Sequence, residues 1–238
     1  MSSRLPETEL ANWSFLSPAN KRKALEKHVQ PKRISGSYEP FRIIFSDAVN
    51  KQLPLFSEEE QPITPWAEIE RRIVARCRGD AELLKMNLEI ARATHDYAKR
   101  EKITAVPVDV TSLALGVGHL YQFGLPLLMR YPDRVSAVFL DLRRTNGVSE
   151  LGRDWIFGAM HERFRTAYPD LSSIDLEIWR YRNNADRSVA PVTCNEIKIG
   201  FDELVADVRE TYSIYASVLS GERDRKRQAG GGFGPLFD

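Results

Sequence analysis

The chain has 238 residues, 42% of them hydrophobic and 28% charged, with a formal net charge of +1. That balance excludes global disorder and gives no overall pull toward nucleic acid or an anionic membrane. The two cysteines, Cys77 and Cys194, form no CxxC or Cys/His cluster, which excludes a disulfide framework and argues against a zinc site.

The opening MSSRLPETEL lacks the apolar core of a signal peptide, and no run of about 18 apolar residues is present to span a bilayer. A cytoplasmic protein without a membrane partner is expected. Residues 1–64 read as a loosely ordered basic extension and connector. Within them, Asn12 to Leu16 is apolar enough to anchor on a core, Pro18 to Val29 reads as a basic helix, and FRIIF (Phe41 to Phe45) reads as a short strand. Lys21, Arg22, Lys23, Lys32 and Arg33 near the start, with Arg225, Lys226 and Arg227 near the end, are the candidate contacts to DNA phosphates.

The connector holds Gln52-Leu53-Pro54-Leu55-Phe56 among lysine, serine and three glutamates. A polar, proline-bounded segment with so greasy a centre either staples a loop to its own core or presents a peptide to a partner. QLPLF resembles the pentapeptide that bacterial replication and repair proteins insert into the sliding clamp. The resemblance implies an extended peptide, with Gln52 hydrogen-bonding at a rim while Leu53, Leu55 and Phe56 fill apolar pockets. Pro54, at the free position, reduces the freedom lost on binding.

Pro65 then opens a helix in whose first turn its missing N–H costs nothing. Asp80 caps a second helix running to about Lys102, with Leu84, Leu88, Ala91, His95 and Ala98 in one stripe. From Val106 the pattern changes to three strands, Val106 to Leu115, His119 to Met129 and Arg134 to Arg144, separated by GVG and YPD turns. A helix from about Ser149 to Ala167 follows, then a strand from Ile174 to Arg182. Ser188 to Thr193 and Glu196 to Ile199 read as edge strands. A final amphipathic helix carries Phe201, Leu204, Val208, Tyr212, Tyr215 and Leu219 and stops at Gly221.

The expected fold is α/β, with α+β as the alternative. It has a mixed central sheet of about four to six strands flanked by helices, in the order α-β-β-β-α-β-(β)-α, after an N-terminal extension. Residues 65–222 form the single α/β domain, and residues 223–238 form a basic, glycine-rich tail.

In SAVFLDLRR both faces are apolar, which marks a central strand with Asp141 near its carboxyl end, where ligands collect in open α/β sheets. This helix–strand–strand–strand–helix–strand order resembles the core of the PD-(D/E)xK nucleases. The resemblance implies Asp141 as the ligand of Mg or Mn, Arg143 in the lysine position, and Glu89, His119 or Glu177 in support; no other cofactor is expected. Three features oppose catalysis. Asp133 and Asp141 would lie ~26 Å apart on one strand, arginine does not shuttle protons as lysine can, and Glu89 falls opposite the Leu84/Leu88/Ala91 stripe. The plainer reading makes Asp141 and Arg143 a same-face ion pair.

Three functions remain open. One is an accessory protein of DNA replication, repair or a mobile element, tethered to the sliding clamp by QLPLF and touching DNA with its basic segments. The second is a metal-dependent nuclease or an inactive relative of one. The third is an interaction module that pairs through Tyr212 and Tyr215, as a homodimer or with a partner.

Overall fold

The computed structural model describes residues 3–30, 37–52, 61–145, 147–183 and 187–230, with the side chains of the last helix described through residue 222. Three helices come first: α1 (Glu7–Trp13), α2 (Pro18–Val29) and α3 (Glu39–Ala48). FRIIF is therefore helical. Its apolar residues recur at Phe41, Ile44, Phe45 and Ala48, which a helix buries together, while Ile43 is left exposed. Ser17 caps α2 by accepting from Asn20 N, and Pro18 occupies its first turn.

Helix α4 (Trp66–Cys77) ends with Arg78 in a left-handed conformation, and Asp80 caps α5 (Ala81–Arg100) by accepting from Leu83 N at 2.9 Å. The strands are shorter than the sequence pattern implies: β1 (Thr104–Pro107), β2 (Leu113–Ala114), β3 (Leu120–Tyr121), β4 (Leu127–Arg130) and β5 (Val135–Asp141). Helix α6 (Glu150–Met160) runs into a π-helical segment, His161–Thr166. It leads to β6 (Asp175–Tyr181) and β7 (Val189–Thr193), and α7 (Phe201–Gly230) closes the chain. No strand forms over residues 196–199. Gly221 does not stop α7, because nothing packs against it to demand a turn and the helix passes through.

The main sheet has the order β1-β4-β5-β6-β7; β5 and β6 are parallel and the other pairs antiparallel. Helix α6 is the crossover between the two parallel strands, so both reach their carboxyl ends on the same edge. Alternation along β5 and β6 builds two cores. Ala137, Phe139, Leu176 and Ile178 pack with α1, α2, α6 and α7, while Val138, Leu142, Trp179 and Tyr181 pack with α3, α4 and α5. The result is a sheet with helices on both faces, a mixed α/β fold as the element order implied.

The N-terminal stretch is integral to this packing. Leu5, Leu10, Ala11 and Leu25 are buried in the first core, and Phe41, Ile44 and Phe45 in the second. Sequence pattern read these residues as loosely ordered because three short helices, none longer than 12 residues, give little periodicity to detect. Among the described residues, no helix is long and apolar enough to cross a membrane.

Candidate functional site

The QLPLF segment begins on the edge of the sheet. Lys51 makes a parallel bridge to Ala105, and Gln52 N donates to Ala105 O at 2.8 Å, so residues 50–52 run beside β1. The Gln52 side chain is almost buried. Its Nε2 donates to Asn50 O and Gln61 O, both at 3.2 Å, and its Oε1 accepts from Gln61 N at 2.7 Å. The carboxamide thus joins the two ends of the segment that contains Leu53, Leu55 and Phe56. Those three residues lie outside the described ones.

The basic residues separate into distinct environments. Lys21 is not available to a phosphate. It is fully buried, with Nζ 2.6 Å from Asp207 Oδ1 and 2.5 Å from Glu210 Oε2, tying α2 to α7. Arg22 and Lys23 are exposed, and Arg22 Nη2 donates to Ser217 Oγ at 2.7 Å. Lys32 and Arg33, and the side chains of Arg225, Lys226 and Arg227, lie outside the described residues. Tyr212 and Tyr215 face inward: the Tyr212 hydroxyl accepts from Leu5 N at 2.9 Å, and that of Tyr215 lies 2.7 Å from Ser3 Oγ. Pairing with another molecule through this face would require the first core to open.

The residues proposed to gather around Asp141 are mostly dispersed. Glu177 pairs in register with Val138, three positions before Asp141 and on the opposite face of the sheet. It is fully buried and accepts from Tyr131 Oη at 2.7 Å, Trp179 Nε1 at 2.8 Å and Ser136 Oγ at 2.9 Å, with Arg134 Nη2 at 3.3 Å. His119 stacks obliquely on Tyr212, ring centres 5.7 Å apart. Glu89 does reach the same edge of the sheet, where Oε2 lies 3.9 Å from Arg144 Nη1.

What surrounds Asp141 is cationic. Its Oδ2 accepts from Val148 N at 2.7 Å, Arg143 Nε lies 3.4 Å from Oδ1, and Arg180 Nε lies 3.8 Å from Oδ2. Arg180 is the register partner of Asp141 across the parallel pair. Arg143, Arg144, Arg180 and Arg182 all line an open cleft of about 330 Å³ outside the carboxyl ends of β5 and β6. Gly147 packs closely there: a Cβ would sit 2.9 Å from Asp141 Oδ2 and 3.1 Å from Arg180 Nη2, so a larger residue would have to shift those side chains. A carboxylate held by a backbone N–H and two guanidiniums orients cations; a divalent metal among those arginines would meet strong repulsion. Among the described residues, no group of three or more His, Cys, Asp or Glu side chains is placed to hold a metal ion.

Sequence reasoning found Asp141 and Arg143 but missed Arg144, Arg180 and Arg182. The signal was available in LDLRR and WRYR, once the two strands are paired in parallel. A larger groove of about 710 Å³, bounded by Arg4, Glu7, Arg42, Phe45, Leu127 and Phe139, contains none of the expected site residues.

Comparison with known proteins settles the lineage. Residues 8–226 match the family described as "Sliding clamp-binding bacterial toxin SocB". The chain is also 31% identical over 232 residues to the DNA replication inhibitor toxin SocB of Caulobacter vibrioides (strain NA1000 / CB15N), covering 96% of this chain and 95% of that protein. No solved structure matches. The match over nearly the whole length corrects the likeness to PD-(D/E)xK nucleases, which rested on element order alone. The chain belongs to the SocB family of sliding clamp-binding bacterial toxins.

Proposed function

We propose that this protein acts in the bacterial cytoplasm by docking on the sliding clamp through Gln52, Leu53, Leu55 and Phe56, and so restrains DNA replication. The observation that carries this reading is the coincidence of two independent signals. The family is described as clamp-binding, and the chain holds QLPLF, which resembles the pentapeptide that replication and repair proteins insert into the clamp. The Gln52–Gln61 hydrogen bonds support it by holding the base of the segment on the sheet edge, which limits the entropy lost when the intervening residues dock.

Docking would place the domain at high effective concentration beside DNA. In this reading exposed Arg22 and Lys23, with Lys32, Arg33, Arg225, Lys226 and Arg227, contribute weak phosphate contacts. The test is a binding measurement with purified clamp. The Leu55→Ala/Phe56→Ala variant should lose affinity by at least about tenfold, since two buried apolar side chains at an interface contribute well over 1.4 kcal/mol. Equal affinity of variant and parent would remove QLPLF as the docking element.

Gln52 refines the expectation. In the free protein its carboxamide already makes three internal hydrogen bonds, so a rim contact to the clamp would exchange bonds rather than add them. Gln52→Ala should therefore weaken clamp binding less than Leu55→Ala/Phe56→Ala does, and chiefly by loosening the base of the segment.

A further inference from the structure

The cleft at the carboxyl ends of β5 and β6 contains none of the residues assigned to clamp docking, and its chemistry is specific. Four arginines line it against one carboxylate, Asp141, which is itself engaged by Val148 N and Arg143. Two further carboxylates approach from outside at 3.9 Å, Glu89 to Arg144 and Glu9 to Arg143, at longer than hydrogen-bond distance. Side-chain exposure is 40% for Arg180 and 50% for Arg144, so their forks are open to solvent at the mouth.

Arg187, outside the cleft lining, is 1% exposed; its Nη2 donates to Leu142 O at 3.1 Å, and among the described residues its buried Nη1 has no hydrogen-bond partner. Its backbone adopts a left-handed φ of 48°, a conformation that costs a bulky residue about 1 kcal/mol or more. The four guanidiniums of the lining, on two adjacent strand ends, repel one another, and an anion there relieves the repulsion and supplies acceptors.

We propose that this cleft binds phosphate oxygens of a nucleic-acid backbone. Planar arginine forks match phosphate bidentately, and their spread across two neighbouring strand ends, about 5 Å apart, suits a continuous polyanion along an open mouth. Nucleic acid is chosen over a free nucleotide because the lining offers no aromatic face at the mouth for a base: Tyr181 is buried beneath it, and Ala190, Pro191 and Val192 complete the wall. The choice also rests on the clamp reading, since a clamp-docked protein works beside DNA. Asp141 acts as a positioning residue that holds Arg143 and Arg180.

The test is fluorescence anisotropy of the full-length chain with a labelled duplex DNA, without clamp, over a range of salt concentrations. Arg180→Ala/Arg182→Ala should weaken binding by about tenfold or more and reduce the slope of log K against log salt by about two. Arg182→Glu, a reversal at an exposed position that leaves the core untouched, should weaken binding while the melting temperature stays unchanged. Arg22→Ala/Lys23→Ala should have the smaller effect. The inference is overturned if the parent binds no duplex, if Arg182→Glu and Arg180→Ala/Arg182→Ala bind as the parent does, or if Arg22→Ala/Lys23→Ala alone abolishes binding. Stabilisation by inorganic phosphate without duplex binding would equally overturn the nucleic-acid assignment. Leu55→Ala/Phe56→Ala, measured against clamp and duplex separately, distinguishes failure of this site from failure of the clamp reading.

Discussion

Glu177 shows how one buried carboxylate organises its surroundings. Tyr131, Trp179, Ser136 and Arg134 all donate to it, and the Arg134 guanidinium lies 3.7 Å from the centre of the Tyr131 ring. Burial beside this carboxylate pushes the Tyr131 hydroxyl far above its ordinary range, so it remains a donor at every physiological pH. Glu177→Ala would strand several of these donors in the core, and we expect a loss of about 3 kcal/mol in urea unfolding. Glu177→Gln should lose less, because the Tyr131 and Ser136 hydroxyls can each accept where the amide donates. His161 makes a complementary prediction about pH. Burial, with help from Arg165 and against Glu162, lowers its pKa below 6.5, and among the described residues its buried Nδ1 has no hydrogen-bond partner. The unfolded chain therefore takes up this proton first as pH falls. The contribution of His161 to stability is flat above about pH 7, declines from about 6.5 down to its folded pKa, and is flat again below that. Urea unfolding at pH 7.5 and 5.5 should show this decline, and His161→Gln should reduce the difference.

Helices in this fold are placed by glycines as much as by apolar stripes. At Gly158 in α6, a Cβ would lie 2.7 Å from Ile199 O and 3.3 Å from Leu204 Cδ1, so the missing side chain is what lets α6 meet the start of α7. At Gly221 in α7, nothing lies within 4 Å of where a Cβ would be. The same substitution should thus act in opposite directions. Gly221→Ala gains helix propensity, up to about 1 kcal/mol. Gly158→Ala gains the same propensity but overpacks, with a cost of about 1–3 kcal/mol, and should be destabilising overall. Thermal melts of the two variants side by side check both signs. This contrast also explains which elements could be read in advance. Helices α2, α4, α5 and α6 follow from the sequence pattern, with Asp80 as the cap of α5. The end of α7 did not, because glycine marks a helix end only when the backbone turns left-handed there. FRIIF failed for a related reason: five residues are too few to separate a strand's period from a helix's.

The candidate binding features were legible unequally across the molecule. QLPLF could be found because its pattern is a contiguous string, legible without the fold. The arginine cleft could not, because Asp141 and Arg180 become neighbours only when β5 and β6 pair in parallel around α6. Lys21 shows the opposite failure, a lysine in a basic run that folding removes from solvent entirely. Its burial makes the N-terminal segment a structural part of the domain. Removing residues 1–30 would delete Leu5, Leu10, Trp13 and Leu25 from the first core and leave buried Asp207 without its cation. At about 1.5–3 kcal/mol for each large apolar side chain, that loss alone approaches the whole stability of an ordinary domain. We therefore expect the truncated chain to have no cooperative melting transition, whereas Lys21→Met should keep a transition at a temperature lowered by several degrees. Circular dichroism melts of the two variants distinguish an integral segment from an appendage. A truncated chain that melts cooperatively at the parent temperature would show residues 1–30 to be dispensable for folding.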